Sequence, residues 1–187
     1  MSEKEKMLKG VLYDANNDGA LIVERNACKQ LCFEYNAIPC DKKDKRTKIL
    51  QKIVKKIGKN GQIEPNFFCD YGYNIEIGDH FYINHNSVFL DAALIKFGNH
   101  VFVGPNCGFY TASHPLSAKL RNQGLEKARP IIVGNNVWIG GNVCVLGGVS
   151  IGDNTVIGAG SVVVKDIPGN CVAVGNPCHV IKKISMD

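Results

Sequence analysis

No stretch of the chain approaches the roughly 18 consecutive apolar residues that a membrane-crossing helix needs, so a helical membrane protein is excluded. Proline is scarce, at 7 residues, and no proline-rich or collagen-like register is present, which removes the fibrous and low-complexity classes. No CxxC pair occurs. The cysteines Cys28, Cys32, Cys40, Cys69, Cys107, Cys144, Cys171 and Cys178 are spread through a chain long enough to build its own core. Reduced, buried thiols are therefore expected in place of a disulfide framework. The opening residues Met1-Ser2-Glu3-Lys4-Glu5-Lys6 mix both charges where a secretory signal would be basic and then apolar, so a cytoplasmic location is expected. Neither sign of charge dominates: a net charge of +5 permits an anionic small molecule without requiring nucleic acid.

Two halves of unlike periodicity make up what is there. Up to residue 60 the apolar residues recur at helical spacing, as Met7, Leu8, Val11 and Leu12, then Ala27, Cys28, Leu31, Cys32 and Tyr35, then Ile49, Leu50, Ile53, Val54 and Ile57. Three short helices are expected, with a turn at Asn16-Asn17-Asp18-Gly19, a stop at Pro39 and Gly58 as a helix C-cap. The basic run from Lys42 to Lys59 lacks interleaved aromatics and reads as a solvated helix face. Neither a nucleic-acid nor a membrane partner is expected.

Over 61–187 the helical period gives way to one of six. Val133, Ile139, Val145, Ile151, Ile157 and Val163 stand six apart, glycine follows at Gly134, Gly140, Gly152 and Gly158, and Ile77, Ile83, Phe89 and then Phe97, Val103, Phe109 repeat the pattern upstream. One inward aliphatic per six residues suits a short flat strand and a tight turn, three of which close a triangular coil. Coils stack at roughly 4.8 Å, and about five or six of them bury a continuous column of side chains. Glycine is expected at the corners, for positive φ and close backbone approach.

Between residues 110 and 130 the period lapses, and an excursion of that length from a solenoid is usually functional. It holds His114 before Pro115, then Arg121, Asn122, Gly124, Glu126 and Arg129. Imidazole ordinarily titrates near pH 6.5, about where a general base is useful, so His114 is a candidate base. Glu126 is a candidate to accept a hydrogen bond from one ring nitrogen and free the other. Ser113, adjacent in sequence, is poorly placed as a nucleophile activated by His114, which favours direct attack over an acyl-enzyme.

The segments Val133-Gly134-Asn135-Asn136-Val137-Trp138-Ile139-Gly140-Gly141, Ile157-Gly158-Ala159-Gly160-Ser161 and Lys165-Asp166-Ile167-Pro168 resemble the hexapeptide-repeat acyltransferases. With Tyr110-Thr111-Ala112-Ser113-His114-Pro115 and Gly175-Asn176-Pro177-Cys178, the chain is most similar to the maltose and galactoside O-acetyltransferases. The resemblance covers nearly the whole sequence. It implies a mainly β fold, a left-handed parallel β-helix with an N-terminal helical region and one long excursion loop. It also implies a homotrimer with active sites between neighbouring prisms, acetyl-CoA as co-substrate and a sugar acceptor, and no metal is expected.

By the same resemblance His114 takes the acceptor's proton and the backbone N–H of Gly141 faces the oxyanion. Asp14, Asp70, Tyr82, Asn84 and Asp91 match the acceptor site, with a slip in the repeat at Asp91 that could aim its carboxylate outward. Trp138, Gly141, Ala159, Lys165, His179 and Lys182 match the coenzyme A groove. His179 and Lys182 stand where arginine is commoner, and neither reproduces a guanidinium fork for phosphate. Rival readings are a transferase with an amino acid, antibiotic or saccharide-precursor acceptor, a binding module without chemistry, and a zinc enzyme of the carbonic anhydrase type. The last needs three converging histidines, and beyond His80 and His85 no third stands at the spacing that family uses.

Overall fold

The computed structural model describes residues 1–185. From Lys56 onward the chain winds into a parallel β-helix of triangular section, so its first strand, Lys56–Ile57, lies ahead of residue 61. The first face stacks Gln62–Ile63, Tyr82–Ile83, Phe102–Val103, Trp138–Ile139, Val156–Ile157 and Cys171–Val174. The second stacks Phe67–Cys69, Ser87–Leu90, Gly108–Tyr110, Cys144–Leu146 and Val162–Val163, and the third runs from Lys56–Ile57 through Ile75–Ile77, Ile95–Phe97 and Ile131–Val133 to Ser150–Ile151. Register follows from the six-residue period: Ile77 lies beside Phe97, Phe97 beside Val133, and Val133 beside Ile151. These side chains are buried and form one column, each contributing roughly 1.5–3 kcal/mol of burial. In the earlier coils the inward column includes aromatics, Phe109 packing edge-on against Phe89 and Phe97 at 4.8 and 5.0 Å between ring centroids.

The corners divide their labour differently from expectation. Positive φ is carried at the regular corners by Asn60, His80, Asn86, His100, Asn106, Asn136, Asn142, Asn154 and Asn170, all between 54 and 64°. Asparagine tolerates that region because its short amide bonds locally, and here Asn86 Nδ2 donates to Asn106 Oδ1 of the next coil at 3.1 Å. The corner glycines supply closeness. A Cβ on Gly78 would stand 2.4 Å from the Gly98 carbonyl oxygen, and one on Gly98 would stand 2.6 Å from that of Gly134.

The N-terminal region closes the open end of the prism. Helix α1, Glu3–Leu8, starts in a capping box in which Ser2 Oγ accepts from the Glu5 amide, and it ends early, leaving Val11 and Leu12 exposed. The expected first stripe is thus only half a helix; Gly10, at φ 66°, turns the chain after Met7 is buried. Helix α2, Gly19–Asn36, buries Leu21, Cys28, Cys32 and Tyr35, and α3, Lys43–Ile53, buries Arg46, Leu50 and Ile53. Gly58 is a prism corner and not a C-cap, since α3 stops at Ile53 and the extended Val54 leads into the first strand. Asn36 exchanges two 2.9 Å hydrogen bonds with the Phe67 backbone, mimicking a strand on an otherwise unpaired edge. Arg46 Nη2 bonds the Ile63 carbonyl at 2.9 Å and the Tyr35 hydroxyl at 3.0 Å, so one member of the basic run leaves the solvated face to cap the first face. At the other end the antiparallel strand His179–Lys183 covers Cys171–Val174. Among the described residues, no helix is long and apolar enough to cross a membrane.

Candidate functional site

The corner between the second and third faces is irregular in successive coils, at residues 70–74, 91–94 and 111–130. The long excursion is structured. Its strand Ala112–Ser113 pairs antiparallel with Leu125–Ala128, the short helix α4, Ala118–Arg121, lies between them, and Tyr13–Asp14 adds a third strand. Tyr13 stands opposite Glu126, and its hydroxyl donates to Glu126 Oε2 at 2.8 Å. Burial, then the adjacent carboxylate, holds the Tyr13 phenol far above its ordinary range, so it remains a donor.

His114 follows the Ala112–Ser113 strand directly. Its Nδ1 lies 3.1 Å from the Leu125 carbonyl oxygen, an acceptor that requires the proton on Nδ1 and leaves Nε2 as the basic nitrogen. Glu126 Oε1 is 3.9 Å from Nε2, beyond a direct hydrogen bond. The acceptor at Nδ1 is therefore a backbone carbonyl, while Glu126 faces Nε2.

Beside Glu126 opens a cavity of about 170 Å³ lined by Tyr13, Asn16, Arg25, Asp70, Tyr71 and Glu126, among others. Asp70 is half-buried, and desolvation raises its carboxyl above the usual range against the pull of Lys29 and Arg25. Asp91 does not point outward: it is 0% exposed, and its Oδ1 accepts from the Asp70 and Tyr71 amides at 3.0 and 2.8 Å. Its place is beneath Asp70, holding that segment. Asp14 is also occupied locally, taking the amides of Asn16 and Asn17 at 3.2 and 3.0 Å, although its strand borders the cavity.

Arg25 escaped the sequence reading. It bonds the Tyr71 hydroxyl at 2.7 Å and the Ala15 carbonyl at 2.6 Å, tying α2 to the cavity wall. The available signal was a charge within the buried stripe Leu21, Arg25, Cys28, Cys32, Tyr35.

The remaining candidates gather elsewhere. Tyr82 and Asn84 lie at the end of the first face, where Gly141 and Ala159 occupy the following corner in successive coils, and the Gly160 amide bonds the Gly141 carbonyl at 2.9 Å. Among the described residues the Gly141 amide itself meets no acceptor. Trp138, 59% exposed, lies on the same face, and His179 and Lys182 lie on its terminal antiparallel strand. Lys165 stands apart, after Val162–Val163 at the second corner. One chain therefore carries two groups of candidate residues on two corners. A strand of about five residues separates them by on the order of 15 Å.

A repetitive prism, a helical cap and a histidine-bearing excursion define the hexapeptide-repeat acetyltransferase class. The maltose acetyltransferase hexapeptide capping motif matches residues 6–58, and the bacterial transferase hexapeptide of six repeats matches residues 130–165. The galactoside O-acetyltransferase of Escherichia coli is 40% identical over 185 residues, 99% of this chain and 91% of that protein. The crystal structure of a maltose O-acetyltransferase from Clostridium difficile 630 is 52% identical, with a TM-score of 0.97 over 100% of this chain and 99% of that one. A hexapeptide-repeat acetyltransferase from Vibrio cholerae, solved with acetyl coenzyme A, is 36% identical with a TM-score of 0.91 over the full length of both chains. The chain belongs to the maltose and galactoside O-acetyltransferase family, and it is an acetyltransferase of the hexapeptide type.

Proposed function

We propose that the protein moves acetyl from acetyl-CoA to a primary hydroxyl of a sugar, with His114 as general base. The observation that carries this is the fixed tautomer of His114, whose Nδ1 is committed to the Leu125 carbonyl at 3.1 Å. Its free Nε2 lies on the side of Glu126, which lines the polar cavity with Asp70, Arg25 and Asn16. Carboxylates, an amide and a guanidinium around a space of that size suit a hydroxyl-rich ligand.

In this reaction the acceptor O–H bond breaks, its proton passes to Nε2, and the oxygen attacks the thioester carbonyl. The oxyanion takes the unpaired Gly141 amide. The C–S bond then breaks, and the imidazolium returns its proton to the leaving thiolate, giving the acetyl ester and free coenzyme A. Glu126 beside Nε2 favours the transient imidazolium.

His114 and Gly141 cannot meet within one chain across a prism face. A homotrimer that sets the second corner of one subunit against the first corner of the next unites Asp70, His114 and Glu126 with Tyr82, Asn84 and Gly141. In that arrangement Trp138 and Ala159 flank the pantetheine arm, and Lys165 and Lys182 serve the phosphates as point charges, with His179 beside them. Asp14 and Asp91 support the acceptor side through the backbone.

The deciding experiment is an acceptor panel followed by free-thiol release, with glucose, maltose, galactosides and amino acids. Turnover with sugars well above the hydrolytic background is expected. Acetylation confined to the amino acids, or absent from every sugar, would overturn the reading.

A further inference from the structure

Of the eight cysteines expected to be reduced and buried, Cys40 is exposed and Cys144 half-buried, while Cys28, Cys32 and Cys69 are buried together. Cys28 and Cys32 lie one helical turn apart on the buried face of α2, and Cys69 ends the strand Phe67–Cys69 beneath them. Cys28 Sγ is 3.5 Å and Cys32 Sγ 3.8 Å from Cys69 Sγ, and all three sulfurs lie within 4.8 Å of one another. We propose that Cys28, Cys32 and Cys69 form a three-thiolate binding site for a thiophilic divalent cation of the zinc and cadmium class.

The spacing carries the proposal. A tetrahedral zinc with Zn–S bonds of about 2.3 Å sets its thiolates roughly 3.8 Å apart, so these sulfurs stand at ligand spacing with no shift of the helix against the sheet. Their exposures are 4%, 0% and 4%, and thiolates select soft cations over the hard ones that carboxylates hold. Charge selects the valence. Three thiolates around a divalent cation leave one net negative charge, whereas a monovalent cation leaves two beside the buried Asp91, whose Oδ2 has no partner.

Access exists as well. A surface groove of about 290 Å³, lined by Glu24, Cys28, Lys52 and Tyr73 among others, reaches the cluster at Cys28 and can admit the cation and a fourth, water ligand. The site lies outside the acetyl-transfer chemistry and does not depend on it. It adjoins the cavity, because Cys69 directly precedes Asp70.

The test uses the reduced full-length protein, titrated with cadmium ion and followed by the ultraviolet sulfur-to-cadmium charge-transfer band. The expected result is saturation at a single cadmium per chain, reversed by excess chelator and accompanied by proton release. Cys32→Ser should lose roughly a third of the band and bind more weakly by at least the roughly 10–100-fold that changes in outer-shell partners already cost. Cys40→Ser, at an exposed thiol, should match the parent. Absence of a saturable band in the folded parent overturns the proposal, and so does a band undiminished in Cys32→Ser. If a variant fails to fold by circular dichroism, the parent titration decides.

Discussion

The Leu125 carbonyl oxygen lies 3.1 Å from His114 Nδ1, and that contact sets which ring nitrogen is free. A carbonyl cannot donate, so the Nδ1 proton is fixed and Nε2 alone is available for chemistry. Replacing His114 with Ala should lower turnover by roughly 10²–10⁴-fold while leaving coenzyme A affinity within a few-fold. Steady-state kinetics with the best acceptor, together with calorimetric titration of coenzyme A, measures both; turnover within a few-fold of the parent would remove the base from the mechanism.

The separation of candidate residues on two corners leads to a complementation result. His114→Ala and Asn84→Ala subunits, each inactive alone, should regain activity when unfolded together and refolded. A mixed trimer would hold about one intact site in three, pairing His114 of one copy with Asn84 of its neighbour. Assay of the mixture against each variant refolded alone decides it, and no recovery in verified mixed oligomers would place the whole site within one chain.

Asp91 predicts a pH dependence of stability. Burial pushes its carboxyl up to about 6, against roughly 3.9 in an unfolded chain. Between those values the folded state binds more protons, so stability falls as pH rises from about 4 to about 6 and is level above. The difference of about two units amounts to about 3 kcal/mol. Asp91→Asn keeps an acceptor for the Asp70 and Tyr71 amides and removes the ionisation. Melting temperatures across that window should show a shallower slope in the variant than in the parent.

Gly98→Ala tests the corners. The new Cβ would stand 2.6 Å from the Gly134 carbonyl oxygen, a backbone atom that cannot swing aside, and 2.7 Å from Asn135 Oδ1. Destabilisation of roughly 1–3 kcal/mol or more is expected, read as a lowered denaturation midpoint. Gly160→Ala, where a Cβ meets nothing within 4 Å, isolates the smaller cost of positive φ at 74°.

The prism was legible because a single inward aliphatic recurs in each six residues, a signal that survives the replacement of Val133 by Phe97 one coil earlier. His114 and Glu126 were legible as polar residues in a break of that period. The orienting carbonyl was not, since any residue at position 125 offers the same backbone oxygen. Asp91 misled because a carboxylate next to a slip in the repeat has the same one-dimensional signature whether it points out or supports a neighbouring segment from below. The glycine expectation held for close approach and, at Gly160, for positive φ, but most positive-φ corners are asparagine: Asn and Gly both mark corners, and only backbone angles separate the two uses. The thiol cluster hid in the distance between α2 and Cys69, 37 residues from Cys32.

A stack of identical coils has no natural length, and nothing in a six-residue rule says when to stop adding subunits end to end. The paired hydrogen bonds of Asn36 at one terminus, and the reversed strand His179–Lys183 at the other, supply that stop. They make the particle finite, turning a pattern capable of open-ended fibre growth into a discrete object whose lateral corners are left for association.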